Sequence, residues 1–219
     1  MKKFILIVPS NDDEKFFVDK TFINTLKEYD VPYLISDYNI KNIDYNHICG
    51  MVLVGGGDIE PSLYGQEKEN KTKDICLERD IFEIELLKQA FERKISVLSV
   101  CKGVQTMNVA FGGDVSQHID DHLQEEDKEV PTHYVDINKE SFLYKILKKD
   151  KIKVNSFHHQ AVNNVANIFT ASAKYKDVIE AIEYVDDEMF FMGTQWHPEI
   201  LRDENSKIIF DYFIKYTQQ

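Results

Sequence analysis

The run ISVLSV, residues 95–100, constrains the fold most, because its residues are apolar or small throughout rather than at every second position. A strand with one face in water alternates apolar and polar residues, whereas a continuous run indicates burial on both faces, as in a parallel sheet. The run HICGMVLVGG, residues 47–56, has the same character, and residues 77–94 between them carry apolar residues at helical spacing. The alternation predicts an α/β fold whose parallel strands have helices on both faces.

The same criteria assign the rest of the chain. Strands are predicted over 3–9 and 31–37 in the first half, and helices over 16–29 and 102–113, the latter ending at Gly112 and Gly113. The second half is mostly strand-like up to a closing helix over 204–217; its predicted strands cover 133–138, 152–157, 168–175, 178–185 and 190–196. We expect these to add antiparallel strands to a mostly parallel central sheet, within a single domain over residues 1–219.

Composition excludes several classes of protein. The net charge of -12 over 219 residues would repel the phosphates of a nucleic acid. No apolar run approaches the roughly 20 residues of a membrane span, and the N-terminal run is shorter than a signal peptide requires. The three cysteines form no disulfide framework, so a reducing cytoplasm is the expected location.

Cys101 stands where the buried run 95–100 meets the next helix, in the turn Ser-Val-Cys-Lys-Gly. A small-x-nucleophile-x-Gly turn between a strand and a helix is typical of a nucleophile elbow, which lifts a reactive side chain clear of the sheet. The helix N-terminus and the following N–H would favour a thiolate and an oxyanion there. The turn alone leaves the alternative open that Cys101 is an inert buried residue.

The segment TQWHPEI offers a base for that cysteine. His197 and Glu199 are two residues apart, and residues i and i+2 of an extended chain face the same side. Pro198 favours extended geometry at His197, so Glu199 can orient the imidazole that takes the thiol proton. The alternative is a surface histidine at the end of a strand.

Three consecutive glycines, Gly55–Gly57, follow the buried run 47–56 and allow backbone N–H groups to approach a ligand closely. They lack the spacing of a dinucleotide site, and the chain has no phosphate-binding loop. His118, His122 and His133 are scattered, so no metal site and no cofactor are predicted.

Together these segments resemble the class I glutamine amidotransferase superfamily. Within it, five ordered segments are similar to the gamma-glutamyl-gamma-aminobutyrate hydrolase group, peptidase family C26: GGGDIEPSLYGQE, ERDIFEIELL, CKGVQTMNVAFGG, VNSFHHQAV and GTQWHPE. The resemblance implies a flavodoxin-like three-layer sandwich and hydrolysis of a gamma-glutamyl amide through a thioester, with release of glutamate and a small amine or amino acid.

The resemblance also implies roles for individual residues. Cys101 would be the nucleophile, with His197 as base and then acid, oriented by Glu199. Backbone N–H groups of Lys102 and of Gly56 or Gly57 would form the oxyanion hole. The glutamyl group would contact three further residues, Gln105, Ser156 and His158.

Two residues depart from the family pattern, because Ser99 and Lys102 stand where glycine and arginine are usual. Lysine loses the bidentate fork of arginine, so a contact to a substrate carboxylate would be weaker or differently aimed. Two alternative functions remain: a glutaminase subunit that passes ammonia to a separate synthase, and a non-catalytic thiol sensor. A small gamma-glutamyl substrate is the expected partner, and the sequence leaves a homodimer open.

Overall fold

A computed structural model describes residues 3–11, 14–40 and 42–219 of the chain. Its strands are β1 Phe4–Val8, β2 Ser10–Asn11, β3 Phe16–Phe17, β4 Tyr33–Ile35, β5 Ile48–Leu53, β6 Ser96–Val100, β7 Val115–Ser116, β8 His133–Ile137, β9 Lys151–Val154, β10 Ala161–Val162, β11 Thr170–Tyr175, β12 Val178–Val185 and β13 Phe190–Thr194. Its α-helices are α1 Lys20–Glu28, α2 Leu77–Glu92, α3 Lys102–Ala110, α4 Phe142–Leu147, α5 Pro198–Leu201 and α6 Glu204–Thr217, and short 3₁₀ turns cover Tyr45–His47 and Pro61–Tyr64.

One sheet contains strands from both halves of the chain, in the order β4-β1-β5-β6-β13-β12-β11-β8-β9. The first five of these are parallel, and every pairing from β13 to β9 is antiparallel. The prediction of a mostly parallel α/β sheet with added antiparallel strands is therefore confirmed.

Strand β6 lies inside the parallel part, between β5 and β13, and all five of its residues are buried. Two apolar clusters cover the two faces of this sheet. One includes Leu98 and Phe213 of α6, and the other includes Val97 and Leu87 of α2. Both faces of β6 pack against helices, which explains, as predicted, why the run 95–100 is apolar throughout.

Three predictions on local structure need correction. Helix α1 begins only at Lys20, because Asp19 caps it through Thr21, while β3 before it pairs with β2. Helix α4 was missed within the strand-rich half; Ser141 caps it. The acidic composition of segment 118–131 predicts a surface loop, yet His122 within it is buried.

The parallel strands β5, β6 and β13 are adjacent, so their carboxyl ends meet at one edge of the sheet. Ligands of open α/β sheets bind at this edge. Gly55–Gly57 follow β5, Cys101 follows β6, and His197 follows β13. The topology therefore brings together three segments that are far apart in sequence.

Candidate active site

Cys101 has the backbone strain expected of an elbow, with φ 53° and ψ −111°. A non-glycine residue in such a conformation persists only where the surrounding structure holds it. Here its N–H donates to the Thr194 carbonyl at 2.8 Å, which ties the elbow to β13. At Gly103 a Cβ would lie 2.7 Å from the Leu53 carbonyl oxygen, so the glycine of the turn is a steric requirement.

His197 stands beside this cysteine, and its Nδ1 lies 2.7 Å from Glu199 Oε1. Burial disfavours the imidazolium, but Glu199 and a hydrogen bond with Cys101 outweigh burial and raise the pKa of His197 to about 10. With a pKa of about 10, His197 can supply a proton to a departing group at neutral pH. The arrangement brings a thiol, an imidazole and a carboxylate together at one place.

Asn155 holds the backbone of His197, a role that the sequence did not reveal. Its Oδ1 accepts the His197 N–H at 2.9 Å, and its Nδ2 donates to the Lys128 carbonyl at 2.9 Å. Two residues further on, Phe157 packs edge-on against the imidazole, with ring centroids 6.0 Å apart. Both belong to the VNSFHHQ segment, in which the family resemblance pointed to two other residues, Ser156 and His158.

The glycine loop lies against both His197 and Cys101. A Cβ on Gly55 would lie 3.1 Å from His197 Cε1 and 3.4 Å from Cys101 Cβ, so this glycine packs directly on the reactive pair. Gly56 and Gly57 also line the cavity. Lys102 is the first residue of α3, so its N–H has no carbonyl partner within the helix.

A cavity of about 620 Å³ opens in front of Cys101, a volume in the range of small-molecule sites. His197, Glu199 and the three glycines line it together with Phe157. Its remaining charged side chains are Asp19, Asp74 and Lys128, and a second thiol, Cys76, lies in its wall.

The Lys102 side chain does not reach this cavity, contrary to the carboxylate contact considered for it. Its Nζ lies 2.8 Å from Asp80 Oδ1 and 2.6 Å from Glu83 Oε2, and Arg79 Nε lies 2.7 Å from Glu83 Oε1. We call these four side chains the lysine cluster; all are buried. Burial alone would raise the pKa of Glu83, but Arg79 and Lys102 hold it below its ordinary value. Only the backbone of Lys102 remains available to a ligand.

Gln105, Ser156 and His158, the expected substrate contacts, are buried and do not line the cavity. The amide of Gln105 donates to the Gln160 carbonyl at 3.0 Å. The hydroxyl of Ser156 donates to the His122 carbonyl at 2.7 Å. His158 Nδ1 lies 2.9 Å from the Gln160 carbonyl, and burial lowers the pKa of His158 to about 4. In the structure these side chains connect loops to one another, and Phe157 reaches the cavity instead.

The architecture recurs in solved structures. A glutamine amidotransferase from Thermotoga maritima superposes with a TM-score of 0.63 at 15% identity, covering 100% of this chain and 85% of that chain. The fold is that of the class I glutamine amidotransferases. No described helix has the length and apolar character needed to cross a membrane.

Sequence comparisons assign the family. The Peptidase C26 model matches residues 31–199, and the chain belongs to that family. Protein NtpR of Enterococcus hirae is 32% identical over 213 residues, covering 91% of this chain and 89% of that protein. The gamma-glutamyl-gamma-aminobutyrate hydrolase PuuD of Escherichia coli is 29% identical over 204 residues, covering 86% of this chain and 79% of that protein. The family resemblance drawn from the five segments is confirmed.

Proposed function

We propose that the protein hydrolyses gamma-glutamyl amides through a thioester on Cys101. The observation that carries the proposal is the meeting of Cys101 with the hydrogen-bonded pair His197–Glu199 at the wall of one cavity. Membership of the C26 family and the similarity to a gamma-glutamyl-gamma-aminobutyrate hydrolase support a hydrolase and this class of bond.

The geometry supports a two-step reaction. The Cys101 thiolate attacks the gamma-carbonyl carbon, and the oxyanion accepts hydrogen bonds from the Lys102 N–H and the Gly56–Gly57 segment. As the C–N bond breaks, the His197 imidazolium gives its proton to the departing amine. His197 then takes a proton from water, the hydroxide attacks the thioester, and glutamate leaves with the cysteine restored.

The charges of the cavity suggest how a glutamyl group is held. A gamma-glutamyl group carries an α-carboxylate and an α-ammonium, and Lys128 and Asp19 supply one complementary charge each. Lys128 Nζ lies 5.8 Å from the centre of the Phe157 ring, on the side of the cavity near His197. We expect Lys128→Gln to raise KM more than it lowers kcat, because it removes a binding contact remote from the reacting bond.

A panel of gamma-glutamyl amines, with glutamine included, tests the proposal on the isolated protein. Glutamate release should fall to background in Cys101→Ala and by about 10²–10⁴-fold in His197→Ala, with a smaller loss in Glu199→Gln. Cys76→Ala is the matched control, because its thiol lies in the same cavity and is given no chemical step.

Three outcomes would contradict the proposal. Unchanged rates in Cys101→Ala would exclude the thioester. Turnover of glutamine only after a synthase is added would favour the amidotransferase subunit. An absence of turnover for every amide would favour the thiol sensor.

A further inference from the structure

We propose that His122, His133, His158 and Glu180 form a zinc site. The sequence had led us to expect no metal or cofactor. These four side chains, which we call the histidine cluster, lie in the antiparallel half of the protein and do not line the cavity. The inference does not depend on the proposed function, because it concerns a separate group of residues.

The distances suit a tetrahedral ion. The Nε2 atoms of His133, His122 and His158 lie 3.2, 3.5 and 3.8 Å from Glu180 Oε1. Two ligand atoms bound to zinc at about 2.0–2.1 Å with tetrahedral angles are roughly 3.3 Å apart. The donor atoms of His122, His133 and Glu180 all lie within 4.8 Å of one another. Small movements would let these three side chains bind one ion, with His158 Nε2, 3.8 Å from the carboxylate, beside them as the fourth donor.

The protonation pattern points the same way. His122 Nδ1 lies 2.7 Å from the Asp120 carbonyl and His158 Nδ1 lies 2.9 Å from the Gln160 carbonyl. A carbonyl oxygen only accepts, so each Nδ1 carries a proton, and in a neutral ring the Nε2 lone pair then faces the Glu180 carboxylate. Carbonyl contacts of this kind fix the tautomer of zinc-bound histidines.

Without a cation the cluster leaves buried atoms unsatisfied. His122 Nε2, His158 Nε2 and Glu180 Oε2 have no hydrogen-bond partner among the described residues, and the residues that carry them are at most 4% exposed. Lone pairs directed at a carboxylate repel it, whereas a divalent cation between them would satisfy all of these atoms. Three imidazoles and one carboxylate are a donor set that zinc accepts.

The site would be structural rather than catalytic. It is enclosed by protein, and Tyr175 packs on the His133 ring with centroids 4.7 Å apart. The ion would join β12 to the segment 155–160, which supplies Asn155 and Phe157 to the active site. Zinc would therefore hold the loop that positions His197.

Metal analysis of the full chain tests the proposal, with Cys101→Ala as background so that the reactive thiol cannot hold the ion. We expect one equivalent of Zn²⁺ per chain after growth with zinc, visible absorption bands of tetrahedral Co²⁺ after exchange, and X-ray absorption dominated by imidazole and oxygen ligands. Chelation should lower Tm by about 5–10 °C relative to protein with Zn²⁺ at a hundredfold excess over Kd.

Variants locate the ion. Glu180→Gln and His122→Gln should each lose the bound zinc, whereas the exposed His47→Gln should retain it. If a variant of the histidine cluster does not fold, the X-ray absorption spectrum of the Cys101→Ala protein still identifies the ligands of the bound ion. Absence of bound metal with no effect of Zn²⁺ on Tm, sulfur ligands in the absorption spectrum, or full zinc content in folded Glu180→Gln would each overturn the proposal.

Discussion

Two largely buried groups of ionisable side chains, the lysine cluster and the histidine cluster, lie near the proposed catalytic residues and differ in how they balance charge. In the lysine cluster two cations face two carboxylates, with contacts of 2.6–2.8 Å. In the histidine cluster three imidazole nitrogens face a single carboxylate at 3.2–3.8 Å. Since buried charge requires compensation, the two cations of the first cluster balance its carboxylates, and the proposed zinc ion would balance the second.

The two clusters also hold different parts of the active site. The lysine cluster fixes α2 against α3, and its Arg79 donates to the Val54 carbonyl just before the glycine loop. The histidine cluster lies under the segment that supplies Asn155 and Phe157. We therefore expect removal of the metal to leave the structure around Cys101 and the glycine loop unchanged. The position of the segment that holds His197 should depend on the metal.

Breaking the lysine cluster should have the largest effect on stability. Lys102→Met removes the cation that both Asp80 and Glu83 face, and losing one member of a buried ion pair costs about 3–5 kcal/mol. Urea unfolding measures the change, with Lys207→Met as control because Lys207 forms an exposed pair with Asp211, worth about 1 kcal/mol or less. Equal losses in the two variants would mean that the buried pairs contribute no more than exposed ones.

The catalytic pair should make stability depend on pH in a defined window. The pKa of His197 rises from an ordinary 6.5 to about 10, so its stabilisation is complete below pH 6.5 and is lost as pH rises through 10. The free energy of unfolding of wild type minus that of His197→Gln should fall by up to about 1.4 kcal/mol per pH unit within this window. A difference that is constant over the window would place the histidine in its neutral form throughout.

Removing the carboxylate of the histidine cluster should stabilise the metal-free protein, whereas removing the lysine of the lysine cluster should destabilise it. In EDTA, Glu180→Gln removes a buried charge and adds an amide donor for an imidazole Nε2, so stability should rise by about 1 kcal/mol. With zinc present the same variant should be less stable than wild type. A loss in EDTA as large as that of Lys102→Met would show that Glu180 is already compensated by the protein alone.

The smallest effect is expected at Ser99, one of the two departures from the family pattern. Its buried hydroxyl has no hydrogen-bond partner among the described residues, so Ser99→Ala should gain about 1 kcal/mol. On the same strand, Ser96 Oγ accepts the Phe190 N–H at 3.1 Å, so Ser96→Ala should lose a similar amount. Thermal unfolding of the two variants compares them, and changes of the same sign would contradict this account of Ser99.

The sequence predicted those structural features that depend on neighbouring residues alone. Continuous apolar runs identified β5 and β6, and the turn around Cys101 identified the elbow, because both are properties of neighbouring residues. The lysine cluster was not predicted, since Arg79, Asp80 and Glu83 resemble the solvated face of a helix until α3 covers them. The histidine cluster was not predicted because positions 122, 133, 158 and 180 meet only after the antiparallel strands pair.

The sequence likewise predicted only part of the arrangement at the candidate site. The pairing of His197 with Glu199 followed from their spacing, and the glycine loop from its place after a buried strand. Ser156 and His158 remain predictions as substrate contacts; in the structure Phe157 lines the cavity, while its two neighbours are buried and do not line it. Such alternation within a loop is set by tertiary contacts, which the sequence does not display.

Peptide mapping of the acid-quenched protein during turnover of a gamma-glutamyl amide tests the central claim most directly. The account predicts a glutamyl group on Cys101, present while substrate remains and absent in Cys101→Ala. A glutamyl group on Cys76, whose thiol lines the same cavity, or continued turnover in Cys101→Ala would contradict it.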